Sequence, residues 1–73
     1  MTEDNLRETI RNILIDLRKE NGLTQTEVGE AVGKSTTAIG SWEQGLSLPD
    51  LKTLYMLSKL YHKPIAYMFG EEK

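Results

Sequence analysis

The chain has 73 residues, 38% of them hydrophobic and none of them cysteine, which sets the scale of one small domain whose core must close without disulfides or thiolate-held metals. Nine basic residues against eleven acidic give a formal net charge of −2 and a sequence pI near 5.3, a balance that argues against nucleic acid as a partner on composition alone. No apolar run approaches the ~18 residues of a membrane span and no signal-peptide region opens the chain, so a soluble cytoplasmic protein is expected.

The first predicted helix covers about residues 4–21. Leu6, Ile10, Ile13, Leu14 and Leu17 draw one apolar stripe at helical steps, with Arg7, Arg11, Arg18 and Lys19 off it. Asn5 with Glu8, or Thr2 ahead of Glu3 and Asp4, can cap its start, and Asn21-Gly22 supplies a left-handed stop. A second helix is predicted over 25–32, because Thr24 and Glu27 form a capping box, Leu23 can staple onto Val28, and Val32 is followed by Gly33. The third, 36–44, starts at once: Ser35 can accept from the amide of Thr37 or Ala38, Ile39 and Trp42 share an apolar face, and Gly45 closes it. Helices of about two turns do not stand alone in water, so this pair must be held by the rest of the chain.

Leu48, placed before Pro49, is pushed into an extended conformation. Asp50 then caps a fourth helix over 51–61, whose stripe is Leu51, Leu54, Leu57, Ser58 and Leu60 or Tyr61, with Lys59 suited to the C-terminal dipole. His62-Lys63 breaks it. Pro64 fits the first position of a fifth short helix, 64–69, stopped by Gly70, and residues 71–73 read as a frayed end. No stretch alternates as a strand does, and no repeat or low-complexity segment appears. Five helices with connections of two to six residues imply one all-α domain over 1–73.

Two segments carry a resemblance. Leu23-Thr24-Gln25-Thr26-Glu27-Val28-Gly29-Glu30-Ala31-Val32-Gly33, and Ile39-Gly40-Ser41-Trp42-Glu43-Gln44-Gly45 with Leu48-Pro49-Asp50, resemble the phage repressor and Cro-like family of helix-turn-helix domains, the XRE family, over residues 6–69. The resemblance implies a compact five-helix bundle of the lambda-repressor-like type with the helix-turn-helix at its centre. In that pattern Gly29 allows close approach of the two motif helices and Gly33 takes a left-handed turn, while Val28, Val32, Ile39 and Trp42 point inward.

The family places its second motif helix in the major groove and lays the first across the phosphate backbone. Carried over, Thr36, Thr37, Gly40 and Ser41 face bases, and Gln25, Lys34, Ser35 and Gln44 face phosphates. Arg18 aligns with an arginine that pairs with the glutamate at Glu43. Tyr67, Met68 and Phe69 lie where several members build a dimer contact. This helix departs from better-studied members in offering short hydroxyls and a glycine rather than Arg, Lys or paired Gln. It lacks the bidentate fork that discriminates bases by about 1–3 kcal/mol, so weaker, shape-dependent or dimer-dependent recognition is expected.

The implied function is a sequence-specific double-stranded DNA-binding regulator, probably written best as a repressor acting as a homodimer, at least on DNA, on a pseudo-palindromic operator. The acidic pI and cation-poor helix also fit an alternative, a protein-binding module on the same fold with an antitoxin-like or antirepressor-like partner. Residues 1–16 carry four acids against two arginines, and residues 46–63 carry three lysines against one acid, a modest asymmetry without a basic block. Trp42, Tyr55, Tyr61, Tyr67, Met68 and Phe69 read as core. No catalytic set, metal spacing or phosphate loop is present, and His62, the one histidine, reads as a helix-dipole partner. No enzyme activity, cofactor, metal, membrane contact or small-molecule ligand is expected. The chain has the length of a small Cro-like regulator or of the DNA-binding part of a longer repressor.

Overall fold

Thr2 opens the first helix, its hydroxyl accepting from the Asn5 amide at 3.1 Å, so the earlier of the two available caps is used. In the computed structural model, which describes residues 2–71, α1 runs Glu3–Glu20, α2 Gln25–Val32, α3 Thr36–Glu43 and α4 Leu51–Leu60. Each start is capped. The Thr24 hydroxyl accepts from the Glu27 amide while the Glu27 carboxylate accepts from the Thr24 amide. The Ser35 hydroxyl accepts from Ala38 at 3.0 Å, and the Asp50 carboxylate from Thr53 at 2.8 Å.

The stops share one geometry. Gly22, Gly33 and Gly45 all take positive φ, and His62 takes it too at 59°. After α4 the amides of His62 and Lys63 return to the carbonyls of Lys59 and Ser58, as those of Gly22 and Leu23 return to Lys19 and Arg18 after α1. His62 therefore ends α4 through its backbone, in a conformation usually left to glycine.

The expected fifth α-helix over 64–69 is instead a 3₁₀ turn, Ile65–Phe69. Pro64 stands outside it with an extended ψ of 153°, and the amides of Tyr67 and Gly70 reach back three residues to Pro64 and Tyr67. Five residues between an extended proline and the left-handed Gly70 are too few for an α-helical ladder, and the tighter winding satisfies more of their amides. Residues 72 and 73 of the expected frayed end lie outside the described residues. Among those described there is no strand, and no helix is long and apolar enough to cross a membrane.

One core joins all five elements: Ile10, Leu14 and Leu17 of α1, Val28 and Val32 of α2, Ile39 and Trp42 of α3, Leu54, Leu57 and Tyr61 of α4, and Met68. Each wholly buried Leu or Met contributes at most about 1.5–3 kcal/mol. Two expectations for α4 fail. Leu51 and Tyr55 are 72% and 53% exposed, whereas Thr53 and Ser58 are buried beside Leu54, Leu57 and Tyr61. At about 100° per residue, Leu51 sits at the edge of that inward face and Tyr55 beyond it. Met68, expected at a dimer contact, has no exposed surface at all, so it anchors the 3₁₀ turn to the core and presents nothing to a partner.

Candidate nucleic-acid interface

The α2–α3 pair is locked backbone to backbone. A Cβ on Gly29 would lie 2.5 Å from the carbonyl oxygen of Lys34, while the Lys34 amide donates to the Gly29 carbonyl at 2.8 Å. Gly33 makes the turn between them at φ 72°. On the outside the hydroxyls of Thr26 and Thr36 share a hydrogen bond at 3.0 Å. On the inside Val28, Val32, Ile39 and Trp42 are buried together.

A second lock joins α1 to both motif helices. Arg18 donates from Nε to Glu43 Oε2 at 2.7 Å and from Nη2 to Oε1 at 2.9 Å, and its Nη1 donates to the Leu23 carbonyl. Gln25 Nε2 donates to the same Glu43 Oε1 at 3.1 Å. The two charged side chains are only 16% and 7% exposed. Burial alone would raise the Glu43 pKa, but the hydrogen bonds from Arg18 and Gln25, with the arginine charge, outweigh it and hold the carboxyl below its ordinary range. Burial first, and then the Glu43 charge, push the Tyr61 hydroxyl up to about 12. Glu43 is the one charged residue of α3, so its pairing leaves that helix with no acid turned outward.

The outer row of α3 follows from this. Thr36 and Thr37 are exposed, Gly40 and Ser41 half-buried, and Gln44 exposed. Their hydroxyls are not equally available. Ser35 is occupied as the cap, Thr36 is tied to Thr26, and Ser41 Oγ lies 2.7 Å from Ser47 Oγ. Thr37 makes no side-chain hydrogen bond among the described residues. Lys34 stands exposed ahead of this row, beside a hollow of about 420 Å³ that it lines with Val32, Asp50, Lys52 and Met56. Asp50 is kept ionised there, chiefly by its hydrogen bond from the Thr53 amide and further by the charges of Lys34 and Lys52.

Gly40 differs from Gly29. A Cβ there would make only ordinary contacts, 3.6 Å to Gln25 Oε1 and 3.8 Å to Gln44 Nε2, so the fold does not require glycine. Gly40→Ala should therefore stabilise the domain by up to about 1 kcal/mol through helix propensity. A thermal melt with no gain would show that the bare position matters to the fold after all.

The sequence profile of the helix-turn-helix family matches residues 14–68, most of the chain. This chain belongs to the helix-turn-helix family. It is 34% identical over 58 residues to the cryptic phage CTXphi transcriptional repressor RstR of Vibrio cholerae, covering 80% of this chain and 52% of that protein. It is 42% identical over 48 residues to the ImmF control region 10 kDa protein of Bacillus phage phi105, covering 66% of this chain and 53% of that one. The chain thus spans about half the length of these curated relatives.

The helix-turn-helix family comprises DNA-binding regulators rather than enzymes. Within this chain the structure gathers Thr36, Thr37, Gly40, Ser41 and Gln44 along one side of α3, with Gln25 packed beside Gly40 and Lys34 and Ser35 at the helix start. Tyr67 and Phe69 are half-buried beside Met68, and the Lys63 ammonium lies 4.7 Å from the Tyr67 ring centre. Sequence reasoning missed Thr26 and Ser47, the partners of Thr36 and Ser41. They stand ten and six residues from those hydroxyls, at no helical spacing, so only the fold brings them together.

Proposed function

We propose that this domain binds double-stranded DNA with α3 in the major groove and represses transcription in the cytoplasm, two copies reading a pseudo-palindromic operator. The observation that carries the reading is the locked α2–α3 pair of a helix-turn-helix chain, whose outer face bears hydroxyls and amides while its single acid is neutralised by Arg18. Thr36, Thr37, Gly40 and Ser41 face base edges, and Gln25, Lys34, Ser35 and Gln44 face phosphates. Gln25 keeps one amide proton and its carbonyl beyond the bond to Glu43, and Lys34 brings positive charge to the start of α3. With so few cations the phosphate attraction is modest, and half-sites should lie about one helical turn apart, ~34–36 Å.

Thr37 is the residue to test, because its hydroxyl is free. In a fluorescence titration against the DNA flanking its own gene at ~50 mM salt, Thr37→Ala should weaken specific binding about fivefold, the worth of one hydrogen bond of about 1 kcal/mol, with the melting temperature unchanged. Wild-type binding no tighter than to random DNA would instead favour a protein partner of the antitoxin-like or antirepressor-like kind.

A further inference from the structure

Three large apolar side chains stand exposed among the described residues: Leu46, Leu51 and Tyr55. Leu51 and Tyr55 are one turn apart on α4, and Lys59 extends their row by another turn, its Nζ 5.2 Å from the centre of the Tyr55 ring. Leu54, Leu57 and Tyr61 occupy the other side of the helix in the core. The row is therefore an apolar patch with nothing over it in the single chain, where water penalises it.

We propose that the Leu51–Tyr55–Lys59 face of α4 docks on the same face of a second copy of this chain, the two α4 helices lying antiparallel about a two-fold axis at Tyr55. The inference rests on the reading above that two copies act together, and names the surface by which they do. The face is complementary to itself. About an axis at Tyr55, Leu51 falls opposite Lys59 of the second copy, whose methylene stem covers it. The ammonium beyond that stem comes to the end of the helix that carries the Asp50 carboxylate. Tyr55 meets its own symmetry mate, and each helix N-terminus lies by the other's C-terminus, which suits both dipoles.

Charge also selects the occupant. The ion pairs present are Arg7–Glu3 and Arg18–Glu43, so Asp50 and Lys59 are both open to a partner. A uniformly acidic partner would repel Asp50, and a uniformly basic one would repel Lys59. A face with the same two charges in reverse order matches both, and a second copy turned antiparallel supplies that order.

The absence of cysteine makes a direct test available. Tyr55→Cys should form an intermolecular disulfide under mild oxidation, because residues at the axis come within the ~4.4–6.8 Å between Cα atoms that a disulfide needs. Glu30→Cys, exposed on α2, should not. By sedimentation equilibrium, Tyr55→Glu should weaken self-association about tenfold or more with an unchanged thermal melt. Asp50→Asn keeps the cap and should weaken it a few-fold while flattening its salt dependence. If wild type dimerises but Tyr55→Glu dimerises equally well, or Tyr55→Cys cross-links no better than Glu30→Cys, the docking face is elsewhere and this inference falls while the dimer reading stands. If wild type is monomeric at ~1 mM and occupies DNA as single copies without cooperativity, the dimer reading falls and takes this face with it.

Discussion

Arg18→Ala should lower the melting temperature by about 10 °C or more, whereas Arg7→Ala should shift it by only a few degrees. Both arginines sit in α1 and both hold a glutamate at 2.7–2.8 Å, so distance does not separate them. Burial does. The Arg7–Glu3 pair is exposed and one turn apart, the kind of contact worth well under about 1 kcal/mol. Arg18 and Glu43 are both largely out of water and 25 residues apart, and removing the arginine leaves a carboxylate desolvated with only Gln25 to satisfy it. Breaking such a pair is destabilising by about 3–5 kcal/mol, a large share of what a domain this small has to lose. Equal shifts in circular-dichroism melts of the two variants would sink the claim.

The pair also sets a pH dependence. The folded Glu43 pKa is depressed below the ordinary 4.5, so the folded state holds fewer protons than the unfolded one over that interval. The stabilisation is then present above about 4.5 and is lost as pH falls through the folded value. Wild type should accordingly lose stability on acidification below that point. Arg18→Ala, which has already lost the interaction that depresses the pKa, should lose less over the same window.

Helix starts were the most legible part of the fold, because Thr24, Ser35 and Asp50 are short polar groups placed three residues ahead of the amide they receive. The core face of α1 was legible for a similar reason, since Ile10, Leu14 and Leu17 repeat over four turns. The outer face of α4 was not. Ten residues with leucine at 51, 54, 57 and 60 support more than one apolar phase, and tertiary packing chose the one that buries Thr53 and Ser58 and leaves Leu51 and Tyr55 outside. The candidate site was legible by position but not by bonding. Nothing local says that the Ser41 hydroxyl turns to Ser47 or that Thr36 turns to Thr26. The Arg18–Glu43 partnership, 25 residues apart, reached the sequence reading only through family resemblance. The practical result is that Thr37 offers a freer hydroxyl for base contact than its neighbours, a distinction the spacing of the helix does not make.

Gly29→Ala should be the most damaging of the motif's alanine substitutions, and the three glycines of the α2–α3 unit should order themselves in a way that isolates the cause. Gly29 is helical, so alanine gains about 1 kcal/mol of propensity there, yet its methyl would stand 2.5 Å from a backbone oxygen of Lys34. A side chain in that place would rotate away; a carbonyl held by its own peptide plane does not. The lead-in to α3 must then move out, stretching the 2.8 Å bond from the Lys34 amide and shifting Ser35 and the start of α3 with it. Overpacking of this kind is destabilising by about 1–3 kcal/mol, and the displacement falls on the residues proposed to meet DNA. Gly33→Ala meets no atom but must hold φ 72°, a strain of about 1–2 kcal/mol. Gly40→Ala meets neither obstacle. Thermal melts should therefore rank Gly40→Ala above wild type, with Gly33→Ala below it and Gly29→Ala lowest. Gly29→Ala should also lose more DNA affinity than its remaining folded fraction explains. A Gly29→Ala domain that melts with or above wild type would mean that the close backbone approach does not fix the angle between the two helices.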